Sequence, residues 1–174
     1  MHLVRKIIIE MRWLIINNDK FIVQVNPIID YAMRGLCRKP YYNHPKGCPN
    51  FRKRSDCPPF APLFDKYIDM SKPIYAIYNI FDFKSHIEKM KLKHPNWSEH
   101  QLKCVLYWQG SARKQLRLKC EEFMKEYEGL EYEVITCPEA MGINLTVTMQ
   151  NVGIELEWPP VNITYQIAIA GIKK

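Results

Sequence analysis

The chain has 174 residues, of which 47% are hydrophobic and 12% aromatic, and 25 Lys/Arg against 18 Asp/Glu give a net charge of +7. This composition excludes an intrinsically disordered chain and predicts a single globular domain over 1–174. Charges at Arg5, Lys6, Glu10 and Arg12 interrupt the N-terminal apolar stretch, which argues against a secretory signal or a membrane span. We therefore expect a cytoplasmic protein without membrane binding, whose six cysteines stay reduced, whereas a secreted chain could form three disulfides.

The first half of the chain predicts a hairpin, a short helix and a central strand. Residues 3–16 and 21–25 have the apolar patterns of two strands joined by an Asn/Asp-rich turn. The pair Asn26-Pro27 is typical of a helix N-terminus, and Gly35 is expected to end that helix. The nearly continuous apolar run at 73–80 predicts a strand in the middle of a sheet.

The second half alternates helices and strands. Asp82 is expected to cap a helix that ends before Pro95. Ser98 begins a capping box and a long predicted helix that reaches Tyr127. The pair Gly110-Ser111 could divide this long helix into two. The remaining predicted elements are a strand at 131–136, a short helix after Asn144, and a hairpin of strands at 154–158 and 163–170. This order predicts the α+β class, with a single mixed β-sheet, helices mainly on one face and a long cysteine-bearing loop.

Three of the cysteines lie in that long loop, in the pattern C-x10-C-x8-C formed by Cys37, Cys48 and Cys57. A long loop without apolar periodicity is costly to order, so a metal or a metal cluster is expected to clamp it. The spacing matches neither zinc fingers nor ferredoxins, so the prediction rests on composition and context. Cys137, followed by Pro138 at the end of a predicted strand, supplies a fourth loop thiol.

Several ligand sets are compatible with these residues. Cys37, Cys48, Cys57 and Cys137 together predict an all-thiolate site that holds a [4Fe–4S] cluster or a structural zinc ion. His44 offers a zinc site within the loop itself, together with its three cysteines. Three thiolates alone would leave one iron of a cubane open to substrate. Cys104 and Cys120 lie in the long predicted helix and are expected in the core.

Two blocks of sequence resemble a known family. The first is C-P-N-F-R-K-R-S-D-C-P-P-F-A-P at 48–62, and the second is C-P-E-A-M-G-I-N at 137–144, followed by I-A-I-A-G at 167–171. Together they resemble an uncharacterised family of bacterial and archaeal "predicted metal-binding proteins", in which further closely spaced cysteines precede the second block. The resemblance implies metal or iron–sulfur binding, and the family has no established reaction.

The cysteine loop is also strongly basic. Between Arg34 and Arg54 it has seven Lys/Arg and no acidic residue. The charge of this segment therefore equals the net charge of +7 of the whole chain. Cations mixed with Tyr41, Tyr42 and Phe51 suit phosphates and stacked bases, so RNA or a nucleotide is a predicted partner. The predicted phosphate-binding residues are Arg38, Lys39, Lys46, Arg52, Lys53 and Arg54. These cations could instead offset the negative charge of a thiolate cluster.

Two hypotheses of different classes follow. The leading one is an iron–sulfur protein with a redox or sulfur-chemistry role on a nucleotide or RNA substrate, served by a redox partner protein. The other is a non-enzymatic nucleic-acid-binding module stabilised by zinc. No P-loop, dinucleotide-binding glycine array, HExxH or nucleophile elbow occurs in the sequence, so neither a reaction nor enzymatic activity is specified.

Overall fold

A computed structural model describes residues 21–40 and 44–174, so the predicted strand at 3–16 lies outside the described residues. Within these ranges four strands form one sheet in the order β1-β2-β4-β3. The strands are β1 Ile22–Gln24, β2 Tyr75–Asp82, β3 Tyr132–Ile135 and β4 Ile163–Ile172. A sheet combined with several helices confirms the α+β class.

Neighbouring strands of this sheet pair antiparallel, where the sequence predicted a mixed sheet. The predicted β-α-β unit does exist, because β2 and β3 run in the same direction. However, β4 inserts between them and pairs with both, from Tyr75↔Ala170 on one side to Ile135↔Ile169 on the other. The parallel strands therefore never become direct neighbours. β2, predicted to be central, does lie inside the sheet between β1 and β4.

The helices of the described ranges are mostly short. The α-helices are α1 Phe64–Tyr67, α2 Phe83–Lys93, α3 Glu99–Leu102, α4 Gln109–Glu126 and α5 Leu145–Gln150, and the 3-10 helices are Tyr31–Arg38, Val105–Tyr107 and Pro138–Met141. Three predicted caps are confirmed: Asp82 accepts a hydrogen bond from the N–H of Ser85, Ser98 forms a capping box, and Asn144 caps α5. No helix in the described part of the chain is long and apolar enough to cross a membrane.

Two predicted elements differ from the structure. The long helix after Ser98 is interrupted around Cys104, where the backbone is extended, because the buried ring of Trp108 packs on Phe81 and Phe83. Residues 154–158 form no strand. There the carboxylate of Glu157 accepts hydrogen bonds from the N–H groups of residues 161–163. These bonds lower the pKa of Glu157 to about 2 and hold a turn in place of a hairpin strand.

Both faces of the sheet are covered. On one face α4, the longest helix, packs Leu116, Cys120 and Phe123 against Tyr75 and Ile77 of β2. On the opposite face lie the short elements, whose buried residues include Ala61, Phe64, Ala140, Met141, Leu145 and Met149. The cysteine loop and the segment after Cys137 approach each other over this second face. The predicted arrangement, with helices mainly on one face, thus applies to the long helices. The short helices lie on the other face, where they support the candidate site.

Candidate metal centre

Two 3-10 helices bring the distant cysteine segments together. The one at Tyr31–Arg38 contains Cys37, and the one at Pro138–Met141 directly follows Cys137. They are joined where the N–H of Asp30 donates to the carbonyl oxygen of Gly142 at 2.7 Å. Gly142 has a φ of +93°, and a Cβ atom there would lie 2.7 Å from Cδ1 of Tyr31. Glycine is therefore required for this close approach.

The sequence predicted that Cys37 lies just beyond a helix end. In the structure Cys37 lies inside a 3-10 helix instead. The reason is local, because Asp30 caps the helix through the N–H of Ala32, so the helix begins later and continues past Gly35. The loop then returns to it, and the N–H of Cys48 donates to the carbonyl oxygen of Cys37 at 2.8 Å. The first two cysteines of the loop thus share a backbone contact although ten residues separate them in the chain.

Arg34 holds the turn that follows Cys57. Its guanidinium donates to the carbonyl oxygens of Ala61 at 3.0 Å and Pro59 at 3.1 Å. The N–H of Ala61 in turn donates to the carbonyl oxygen of Cys57 at 2.9 Å. Arg34, counted from the sequence as part of a basic surface, is therefore a scaffold residue that connects the helix of Cys37 to the Cys57 turn.

Replacing Arg34 with methionine keeps the aliphatic stem and removes the donors. We expect the free energy of unfolding to fall by about 1–3 kcal/mol, because the carbonyl oxygen of the buried Ala61 loses its charged partner. Urea denaturation followed by circular dichroism measures the change. Arg38→Ala, at an exposed position in the same helix, is the matched control and should leave stability unchanged. Equal stability of Arg34→Met and the parent would contradict this scaffold role.

Three of the four predicted thiols, Cys37, Cys57 and Cys137, have a pKa raised by burial and by neighbouring negative charge. Burial raises the pKa of Cys37, and nearby negative charge raises it further, from Cys48, Cys57, Glu139 and Cys137 in that order. Two of these groups, Cys137 and Glu139, belong to a segment about a hundred residues from Cys37 in the sequence. Because such interactions fall off with distance, the predicted ligand thiols share one neighbourhood of the structure.

The pKa shifts of Cys57 and Cys137 also indicate that the thiols are neighbours. Burial raises the pKa of Cys57, followed by the carboxylate of Asp56 and the charge of Cys48. Cys137 is an exposed residue, yet protein atoms around its sulfur desolvate the thiolate and raise its pKa, as do Asp56 and then Glu139. Burial also raises the pKa of Glu139. Sequence analysis did not identify Asp56 as part of this group.

The other candidate ligands are placed differently. Cys104 and Cys120 are buried as expected for core cysteines, and burial raises the pKa of Cys120 to about 11. His44 is half-buried. Among the described residues, no three His, Cys, Asp or Glu side chains stand at the spacing of ligands to one metal ion.

The basic surface of the loop is largely open to solvent. Five of its six predicted phosphate-binding residues are exposed: Arg38, Lys39, Lys46, Arg52 and Lys53. Arg54 is instead bound to Asp56 through two hydrogen bonds of 2.9 and 2.8 Å. Phe60, which sequence analysis missed, is 62% exposed beside the Cys57 turn. Tyr41 and Tyr42 lie outside the described residues.

Comparisons with models of known protein families, with curated proteins and with solved structures found no match to this chain. The sequence resemblance to predicted metal-binding proteins therefore stays a prediction. Function has to be inferred from the chemistry of the thiols, the carboxylates and the cations that surround them.

Proposed function

We propose that the protein binds a [4Fe–4S] cluster through Cys37, Cys48, Cys57 and Cys137 and serves in redox or sulfur chemistry. The observation that supports this most is that the charges of Cys48, Cys57 and Cys137 raise the pKa of Cys37, although Cys137 lies a hundred residues away in the chain. Thiolates are the ligands of iron–sulfur clusters, and four of them complete the usual set. A reducing compartment such as the cytoplasm would keep these thiols available.

The electrostatics of the site suit a positively charged inorganic core. Without one, the raised pKa values keep Cys37, Cys57 and Cys137 protonated near neutral pH, because burial and the carboxylates of Asp56 and Glu139 oppose their ionisation. A metal or cluster reverses this balance, because it binds thiolates and releases their protons. When bound, a [4Fe–4S] cluster would supply a one-electron centre or an iron to which sulfur or substrate binds.

Cys137 is the one proposed ligand that is exposed as a whole residue, although protein atoms surround its sulfur. It is exposed, whereas the three loop cysteines are only half-buried and come from one continuous loop. A substrate or a redox partner protein would therefore reach the cluster from the side of Cys137. This difference in exposure also supports a variant of the proposal in which the loop cysteines bind three irons of the cluster. In that variant substrate, and not Cys137, would bind the fourth iron.

The exposed cations support RNA or a nucleotide as the substrate. Arg38, Lys39, Lys46, Arg52 and Lys53 surround the thiol segments and provide contacts for phosphates. The exposed ring of Phe60 provides a flat apolar surface of the kind on which bases stack. The same cations would stabilise the negative charge of a thiolate-bound cluster and raise its reduction potential.

Anaerobic purification followed by metal and sulfide analysis tests the proposal. We expect brown protein with about four iron and about four acid-labile sulfide ions per chain, and broad visible absorbance that reduction bleaches. Colourless protein with a single zinc ion and no sulfide would overturn the proposal. That result would support the zinc-stabilised nucleic-acid-binding module instead, in which His44 and the three loop cysteines hold the metal.

A further inference from the structure

Three stacked rings form a ladder on the surface, remote in sequence from the cysteine loop. The centroids of His94 and Trp97 are 4.0 Å apart with an interplanar angle of 6°, and those of Trp97 and Tyr107 are 4.6 Å apart at 35°. His94 and Trp97 are half-buried, while Tyr107 is 50% exposed. The ladder is therefore accessible to solvent at its Tyr107 end.

The ladder stands on a rigid base. His94 ends α2, and the N–H of Trp97 donates to its carbonyl oxygen at 3.0 Å. On the other side Tyr107 ends the 3-10 helix Val105–Tyr107, and the next residue, Trp108, is only 5% exposed. Because Trp108 is fixed in the core, the position of Tyr107 is fixed as well. Tyr107 is nevertheless outside the core, so packing does not require an aromatic ring at its position.

Positive charge lies next to the ladder. The helix α2 exposes four lysines, Lys84, Lys89, Lys91 and Lys93, against a single acidic residue, Glu88. Lys91 and Lys93 belong to the last turn, immediately before His94. Two leucines of the same segments, Leu92 and Leu106, are 85% and 80% exposed. Aromatic rings, cations and exposed apolar side chains thus come from two short segments, 91–97 and 106–107, that the thiol site does not use.

We propose that this surface binds single-stranded nucleic acid. A base would extend the ladder by stacking on Tyr107, and Lys91 and Lys93 would contact the neighbouring phosphates. A flat ring at the end of an existing stack matches every base, whereas an acidic protein partner would need the cations but not the stacked rings. The proposal does not depend on the cluster, since none of these residues belongs to the thiol site.

Titration with a short oligouridylate at low salt, followed by fluorescence anisotropy of a label on the nucleic acid, tests the proposal. We expect Tyr107→Ala to weaken binding about 5- to 150-fold, the range that the loss of one stacked base produces. Tyr107→Phe keeps the ring and should bind far more tightly than Tyr107→Ala. Leu118→Ala, at an exposed position of α4, should bind like the parent.

Two further variants separate this surface from the cysteine loop. Replacing Lys91 and Lys93 together with glutamine should reduce the slope of log K against log salt concentration by about 1.4, because two phosphate contacts are lost. Phe60→Ala, beside the Cys57 turn, should leave the effect of Tyr107→Ala intact. If Phe60→Ala abolishes binding and Tyr107→Ala does not, nucleic acid binds at the loop and the ladder proposal is wrong, whereas the cluster proposal still stands.

The remaining outcomes also decide the proposal. If Tyr107→Ala and the parent bind oligouridylate with equal affinity, and circular dichroism shows that both proteins are folded, the proposal is wrong. Equal binding of polyglutamate and oligouridylate would also overturn it, because that result would indicate a surface for acidic proteins. Trp97 offers an independent signal: stacking at Tyr107 should change the tryptophan fluorescence of the parent but not that of Trp97→Phe.

Discussion

Replacing Cys48 with alanine is expected to abolish the iron–sulfur cluster and to give colourless protein. Cys48 lies at the centre of the proposed ligand set, since its charge affects the ionisation of both Cys37 and Cys57. Its N–H also bonds to the carbonyl oxygen of Cys37, so its side chain starts from a fixed position. Iron, acid-labile sulfide and visible absorbance of protein purified without oxygen measure the loss, which should be nearly complete because cysteine thiolates hold a [4Fe–4S] cluster.

The matched control is a cysteine outside the site. Cys104 is buried and lies far along the chain from the loop, so Cys104→Ala should retain the parent's full content of iron and sulfide. Because Cys104→Ala removes a core thiol, it also controls for any general loss of stability. A Cys48→Ala variant with as much iron and sulfide as Cys104→Ala would exclude Cys48 from the ligand set.

The corresponding change at Cys137 decides how many ligands the protein supplies. Loss of iron from Cys137→Ala would make Cys137 a fourth ligand. Retention of a cluster would favour three loop ligands and an iron open to substrate, in agreement with the greater exposure of Cys137. Electron paramagnetic resonance of the reduced protein, with and without added thiol, distinguishes an open iron from a fully ligated one.

Features that depend on one side chain and its neighbouring backbone could be predicted from the sequence. The caps at Asp82, Ser98 and Asn144 are such features, because each side chain accepts a hydrogen bond from an N–H three residues later. The central position of β2 could be predicted as well, since a strand buried on both faces needs a continuous apolar run. These predictions required no knowledge of the rest of the fold.

Features that depend on distant segments could not be predicted. The insertion of β4 between β2 and β3 is a choice of partner, and the apolar pattern of a strand does not specify its partner. The interruption near Cys104 results from the packing of Trp108 on Phe81 of β2 and Phe83 of α2. Similarly, Glu157 prevents a strand because its carboxylate bonds to residues across a turn. The contacts of Trp108 are tertiary, whereas those of Glu157 reach only four to six residues along the chain, and in both cases a side-chain contact overrode the local periodicity.

For the candidate site, the sequence identified the residue types but not all of their roles. The grouping of the four cysteines followed from the cost of ordering a long loop, and the charge effects among them agree with a shared location. The roles of two arginines could not be predicted, since every arginine in a basic run has the same formal charge. Arg34 binds backbone carbonyls, and Arg54 pairs with Asp56, so neither is a free cation on the surface.

Replacing Gly47 with alanine is expected to prevent cluster assembly without touching any thiol. Gly47 has a φ of +82°, and a Cβ atom there would lie 2.6 Å from the carbonyl oxygen of Cys37 and 3.0 Å from the carbonyl carbon of Arg38. These obstacles are backbone atoms, so no side-chain rotation can relieve the clash. The loop would have to move away from Cys37, and the positive φ alone costs about 1–3 kcal/mol for a residue with a side chain.

Gly35→Ala is the matched control, in the same 3-10 helix as Cys37. A Cβ atom added at Gly35 would have no other atom within 4 Å, and the φ of Gly35 is not positive. Alanine should therefore be tolerated there and should leave the iron content unchanged. Far-UV circular dichroism should show folded protein for both variants, because the sheet and its core lie outside the loop. The distinction is informative because Gly47→Ala keeps every proposed ligand and changes only the distance between the backbone segments that present them. If Gly47→Ala assembles as much cluster as Gly35→Ala, the close approach of Cys37 and Cys48 is not what positions the ligands, and the cluster must form on a rearranged loop.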